Sequence, residues 1–151
     1  MDIRYAELPD AGTIAQFNSA MALETEGVEL DRERVNAGVE SLLRDRTKGF
    51  YLIAEQGGHA VGQMMITYEW SDWRNGTFWW IQSVFVRPEN RRTGVYRALY
   101  ARAVDLAKER RACGLRLYVE RENTGARQTY EDLGMSRTVY EMYEVDFVLE
   151  R

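Results

Sequence analysis

The chain has 151 residues, 45% of them hydrophobic and 29% charged, with a formal net charge of −4. That length and balance suit one soluble globular domain with its own core, so residues 1–151 are expected to form a single domain. The acidic balance argues against nucleic acid as the main partner, and no apolar run is long enough to span a membrane. One cysteine and one histidine allow no internal disulfide and too few of the usual ligands for a zinc site, so no metal is expected.

In chain order, Ile3-Arg4-Tyr5 reads as a short first strand. Met1-Asp2-Ile3-Arg4-Tyr5 carries no basic-then-apolar leader, and a cytoplasmic location is expected. Pro9-Asp10 opens a helical pattern with Ile14, Phe17, Met21 and Leu23 at its apolar positions, and Glu24-Thr25-Glu26-Gly27 interrupts it. Asp31 is the expected N-cap of a second helix carrying Val35, Val39, Leu42 and Leu43. Residues 50–55 alternate as a strand, Gln56-Gly57-Gly58-His59 forms a hairpin turn, and 61–68 return as a strand. Residues 70–76 read as a polar, aromatic loop. Residues 77–86 are apolar on both faces, which predicts a strand buried on both. The basic loop Arg91-Arg92-Thr93-Gly94-Val95-Tyr96 then leads into a helix through Ala98, Leu99, Val104, Leu106 and Ala107. Cys113 reads as a small buried hydrophobe before a strand at 115–119. A further helix contains Tyr130, and residues 138–143 and 144–149 alternate as a terminal pair of strands. The order is β-α-α-β-β-β-α-β-α-β-β, with no internal repeat or linker.

The strand–loop–helix around Gly94 carries the most chemistry. The first N–H groups of a helix have no partner within it, and the helix dipole adds partial positive charge at that end. An anion therefore fits there, and Gly94, lacking a Cβ, lets the backbone approach it closely. No Gly-Lys-Ser/Thr follows and the three spaced glycines of a dinucleotide fingerprint are missing, so neither of those phosphate loops is present. Taken alone, the hexapeptide reads first as an ordinary capped loop with a solvated basic face.

A second constellation lies downstream. Val119, Asn123, Ala126 and Tyr130 precede Leu133-Gly134-Met135. Together the two segments resemble the GNAT superfamily of N-acetyltransferases, which transfer acetyl from acetyl-CoA to an amine. That family's loop reads Gln/Arg-x-x-Gly-x-Gly/Ala after a strand, and Arg91-x-x-Gly94 matches it. Its second signature is a strand ending in Val, then Asn, a small residue, and Tyr before Leu-Gly-Phe. The two signatures and the elements between them span about half the chain. Two positions depart: Tyr96 stands where the family prefers Gly or Ala, and Met135 replaces an aromatic.

The resemblance implies an α/β fold with a mixed, mostly antiparallel central sheet, helices on both faces, and central strands that splay at Val86 and Val119. It implies acetyl-CoA as cosubstrate, held by the backbone of Val84, Phe85 and Val86 and by the loop of Arg91, Arg92, Thr93, Gly94, Val95 and Tyr96. It also implies that Asn123 contacts the cosubstrate and Tyr130 is the general acid protonating the departing thiolate. Asn123 as a plain helix cap and Tyr130 as plain packing remain open beside those roles. Gln82 occupies the position where the diamine-acetylating branch carries a Glu, and glutamine cannot take a proton at neutral pH. Glu24 and Glu26, between the first two helices, are candidates to attract an ammonium group, with a solvated acidic turn as the plain alternative. The acceptor expected is a small-molecule or amino-acid-like amine. A protein N-terminus or lysine, a non-catalytic acyl-CoA-binding or sensory module, and a plain interaction domain are the rivals. A homodimer is compatible with the terminal strands.

Overall fold

In the computed structural model, residues 1–149 are described, and they divide into two compact units, Met1–Leu117 and the segment from Tyr118 onward. The first unit contains β1 (Asp2–Tyr5), α1 (Ala11–Glu26), α2 (Arg32–Arg44), β2 (Gly49–Gln56), β3 (His59–Ser71), β4 (Gly76–Val86), α3 (Val95–Glu109) and β5 (Gly114–Arg116). The five strands form one sheet in the order β1-β2-β3-β4-β5. All neighbours are antiparallel except β4 and β5, which run parallel.

β2 shows why the sheet is covered twice. Successive side chains of a strand point to opposite faces. Phe50, Leu52 and Ala54 pack with Val95, Leu99, Ala103 and Leu106 of α3. Tyr51 and Ile53, between them, pack with Ile14 of α1 and Val39 and Leu42 of α2. The helices thus lie on both faces, as the family resemblance implies. Asp31 caps α2 as expected, its carboxylate accepting from the Arg34 N–H at 3.0 Å. Arg4 ties β1 to the start of α1 and to β2 through Asp10 and Glu55, each at 2.8 Å.

Several boundaries differ from the sequence reading. α1 runs on to Glu26 and ends at Gly27, whose φ of +65° is left-handed, so Glu24 and Glu26 belong to its last turn. Residues 70–76 are not a loop: β3 continues to Ser71, Trp70 pairs with Thr77, and the turn is confined to 72–75. Cross-strand hydrogen bonds need no buried side chains, so the ladder outruns the core, and Trp70 and Trp73 are exposed at the hairpin tip. β5 is shorter than 115–119, because its ladder with β4 ends at Trp80 and Arg116. Cys113 is half-buried and donates its backbone N–H to the Thr77 carbonyl.

The second unit holds α4 (Thr124–Asp132). Gly134, at φ +92°, follows it, and the Met135 N–H returns to the Tyr130 carbonyl at 3.0 Å. The expected terminal strands are absent. Residues 138–149 form no strand, and Val139, Tyr143 and Phe147 are exposed. Alternation and β-branched residues make a segment fit for a ladder, but a strand exists only where its backbone groups find a partner.

Candidate functional site

β4 changes character along its length. From Phe78 to Trp80 it pairs with β5 on one edge and β3 on the other. Beyond Trp80 the β5 ladder stops, while β3 remains paired, so one edge of the Ile81–Val86 stretch leaves the sheet's hydrogen bonding. The β3 register also slips there. Met65 pairs with Gln82 and Gln63 with Phe85, so Ser83 and Val84 together stand opposite Met64. This is a β-bulge, and Ser83 sits at φ +47°. A side chain in the left-handed region is strained and persists where its surroundings hold it.

What holds it is a buried amide. Gln63 has no exposed surface; its side-chain N–H donates to the Ser83 carbonyl at 3.1 Å and to Asn18 Oδ1 at 2.8 Å. Asn18, on α1, in turn donates to the Tyr51 hydroxyl at 3.4 Å. Sequence reasoning missed this group, because a glutamine inside a strand ordinarily faces water. Val84, Phe85 and Val86 are packing residues by side chain, with the Phe85 ring 4.9 Å from Phe17. Gln82 donates its amide to Thr67 Oγ1.

After β4 the chain is steered by arginines. Arg87 donates from its backbone to Val61 and from its side chain to the Ala60 carbonyl, both at 2.8 Å, and its guanidinium lies 5.0 Å from the Phe17 ring centre. Arg92 and Gly94 both adopt positive φ, +63° and +88°. α3 starts at once, with Gly94 as its N-cap, and its ladder begins with the Ala98 N–H on the Gly94 carbonyl at 3.0 Å. The backbone ahead of Ala98 therefore directs N–H groups out of the helix end. Gly62 makes the placement possible: a Cβ there would lie 2.9 Å from Val95 Cγ1 and 3.1 Å from the Phe85 carbonyl oxygen. With glycine in that position Val95 drops onto β3 and is buried.

The residues fit an anionic cosubstrate at this end. A Cβ on Gly94 would meet nothing within 4 Å, so the helix end has open space in front of it. Tyr96, the departure from the loop pattern, packs against the core with its ring stacked along the helix on Tyr100, centroids 6.2 Å apart. Arg92 and Thr93 are exposed. Arg91 is engaged elsewhere: it holds Glu24 in a bidentate pair at 2.6 and 2.9 Å and donates Nε–H to the Val86 carbonyl at 3.0 Å. The Arg91 hydrogen bonds hold the Glu24 carboxyl below the usual carboxylate range. Two residues expected to bind different ligands are thus joined to each other across 67 positions.

In the second unit, Asn123 caps α4, its side-chain oxygen accepting the Ala126 N–H at 3.1 Å. Tyr130 is half-buried on α4, and burial pushes its phenol pKa up, so the hydroxyl keeps its proton through neutral pH. Among the described residues no group of His, Cys, Asp and Glu is placed to hold a metal, and no helix is long and apolar enough to cross a membrane.

The model of the acetyltransferase (GNAT) family matches residues 14–135. The chain belongs to this GNAT family. A crystal structure of "a possible acetyltransferase" from Clostridium difficile 630 is 46% identical, covers 98% of both chains and superposes with a TM-score of 0.90. A "predicted acetyltransferase with acetyl-CoA" from Clostridium acetobutylicum shares the fold at 19% identity, with a TM-score of 0.79 over 97% of this chain and 96% of that one. A ribosomal-protein-alanine N-acetyltransferase from Brucella melitensis biovar Abortus 2308 does so at 23% identity, with a TM-score of 0.78 over 97% and 100%. No curated protein sequence matches the chain. The mostly antiparallel five-stranded sheet between helical layers, its fourth strand parting from the fifth, matches the GNAT fold that the resemblance implies.

Proposed function

We propose that this GNAT protein transfers the acetyl group of acetyl-CoA to the primary amine of a small-molecule or amino-acid-like acceptor, by direct attack while both are bound. The observation that carries the reading lies within the first unit. A bulged strand with one edge free of its neighbour runs, through a short basic loop, straight into a helix N-terminus faced by open space. That arrangement suits a long ligand with a phosphate at one end and amides along its arm. Phosphate oxygens take the helix-end N–H groups, and the arm takes the backbone of Val84 to Val86. The family's use of acetyl-CoA supplies the acyl group.

Holding amine and thioester together supplies much of the rate. The amine nitrogen forms a bond to the carbonyl carbon, and the C–S bond breaks. The thiolate takes its proton from Tyr130, the general acid in this reading, the amine gives its proton to water, and solvent returns a proton to the Tyr130 phenolate. Two side chains are unsuited to that last step: Gln82 is an amide already donating to Thr67, and Glu24 is bound to Arg91. Glu26 and the overall negative charge favour a cationic acceptor.

Calorimetric titration of acetyl-CoA into wild type and a Gly94→Trp variant tests the reading. Micromolar binding to wild type, lost in a variant whose circular dichroism is unchanged, supports it and justifies screening amines for CoA release. Absence of binding to wild type would end it.

A further inference from the structure

Gln63 is an odd residue for its place. It is wholly buried, and its Oε1 has no hydrogen-bond partner. A methionine of the same length would fill the space and remove that unmet oxygen, but it would take away the donor from the groups its amide serves. Its N–H groups, by contrast, are both engaged, one on the Ser83 carbonyl and one on Asn18. The amide therefore does one thing that a hydrocarbon cannot: it grips the carbonyl that the bulge has taken off the ladder.

That grip has a geometric consequence. Ser83 and Val84 share one peptide unit, and it is trans, as are all those among the described residues. In a trans unit the C=O and the N–H point in opposite directions. Gln63 shares its side of the sheet with Met65 and is anchored by Asn18 of α1. Drawing the Ser83 carbonyl toward α1 turns the Val84 N–H away from it. Ser83 and Val84 have no register partner on β3, and β4 has left β5 by this point.

We propose that Gln63, anchored by Asn18, is a positioning residue for acyl transfer: it fixes the bulge so that the Val84 N–H is aimed at the thioester oxygen. This rests on the acetyl-CoA reading above. An N–H held in advance where charge develops needs no reorganisation during reaction, which is what makes its aim worth fixing.

The test reads the carbonyl itself. Acetyl-CoA labelled with carbon-13 at the acetyl carbonyl is bound to wild type, Gln63→Met and Asn18→Leu, and its stretching band is recorded by infrared difference spectroscopy. Calorimetry gives affinity and thermal melting confirms folding. The expected result is a wild-type band displaced to lower wavenumber than in free acetyl-CoA. In both variants the band returns toward the free value when acetyl-CoA is supplied at saturation, the concentration being set from the calorimetric affinity of each variant. A purely structural Gln63 would move the melting temperature and leave the band in place. An unchanged band in folded Gln63→Met overturns the proposal, as does a wild-type band identical to the free one. Should Gln63→Met fail to fold, Asn18→Leu decides by the same criterion. If wild type does not bind acetyl-CoA at all, the functional reading falls first, and that outcome is distinct.

Discussion

Single residues divide by whether their environment could be read from their neighbours in sequence. Gly94 could, because a strand, a glycine and a helical pattern follow one another within a few positions. Asn123 could, because an N-cap acts three residues downstream, and it accepts the Ala126 N–H as a cap should. Gln63 could not. Its burial depends on Asn18, 45 positions away, and on a carbonyl 20 positions away that a bulge displaces. The Glu24–Arg91 pair escaped for the same reason, since opposite charges far apart in sequence carry no signal of contact. Tyr130 makes a sharp prediction at this scale. A general acid must hold its proton, and burial raises its pKa above the ordinary phenol value of about 10. Tyr130→Phe should lower turnover by on the order of 100-fold or more while acetyl-CoA affinity barely moves. The wild-type rate should show no alkaline loss from this group below about pH 10. Steady-state kinetics across pH, beside calorimetry, measures both. Turnover retained in the phenylalanine variant would remove Tyr130 from the mechanism.

Elements were legible where periodicity and end signals agree. α2 has its Asp31 cap and its apolar stripe, and it forms where expected. The polar, aromatic composition of residues 70–76 suggests a loop, whereas a hairpin ladder ends only where its turn closes, and β3 pairs as far as Ser71 with Gly76. How elements are joined is another matter, and Arg4 shows it. It fastens β1 to the start of α1 through Asp10 and to β2 through Glu55. The hydrogen bonds from Arg4 are the main cause that lowers the Asp10 pKa, outweighing its partial desolvation. A carboxyl whose folded pKa lies below its unfolded value of about 3.9 adds stability above that pH. The contribution disappears as pH falls through the folded pKa. Urea unfolding of wild type and Asp10→Asn should therefore differ most at neutral pH and converge as the pH falls through the lowered folded pKa. A constant difference across that range would show that Asp10 acts through packing or capping rather than through its charge.

For the whole molecule, the same period-2 pattern has two outcomes. In β2 it builds a strand because neighbours on both edges and helices on both faces complete it. In residues 138–149 it builds none, and Val139, Tyr143, Val145 and Phe147 remain exposed. Side-chain pattern decides which face of a strand would be apolar; it does not supply the second strand. Amide hydrogen exchange reads this difference across the whole chain, since exchange from a buried ladder requires opening that approaches global unfolding. The slowest amides should fall in β2 and β3, around Leu52, Ile53, Met64 and Ile66, whose side chains are at most 1% exposed. Amides of 138–149 should exchange fastest, within the dead time of a manual experiment, at a protein concentration low enough to keep copies apart. Protection of 138–149 that grows with concentration would mean the segment completes its ladder on a second copy. Protection that is independent of concentration would place its partner within the same chain. Either result would show that the strand pattern in the sequence is realised after all.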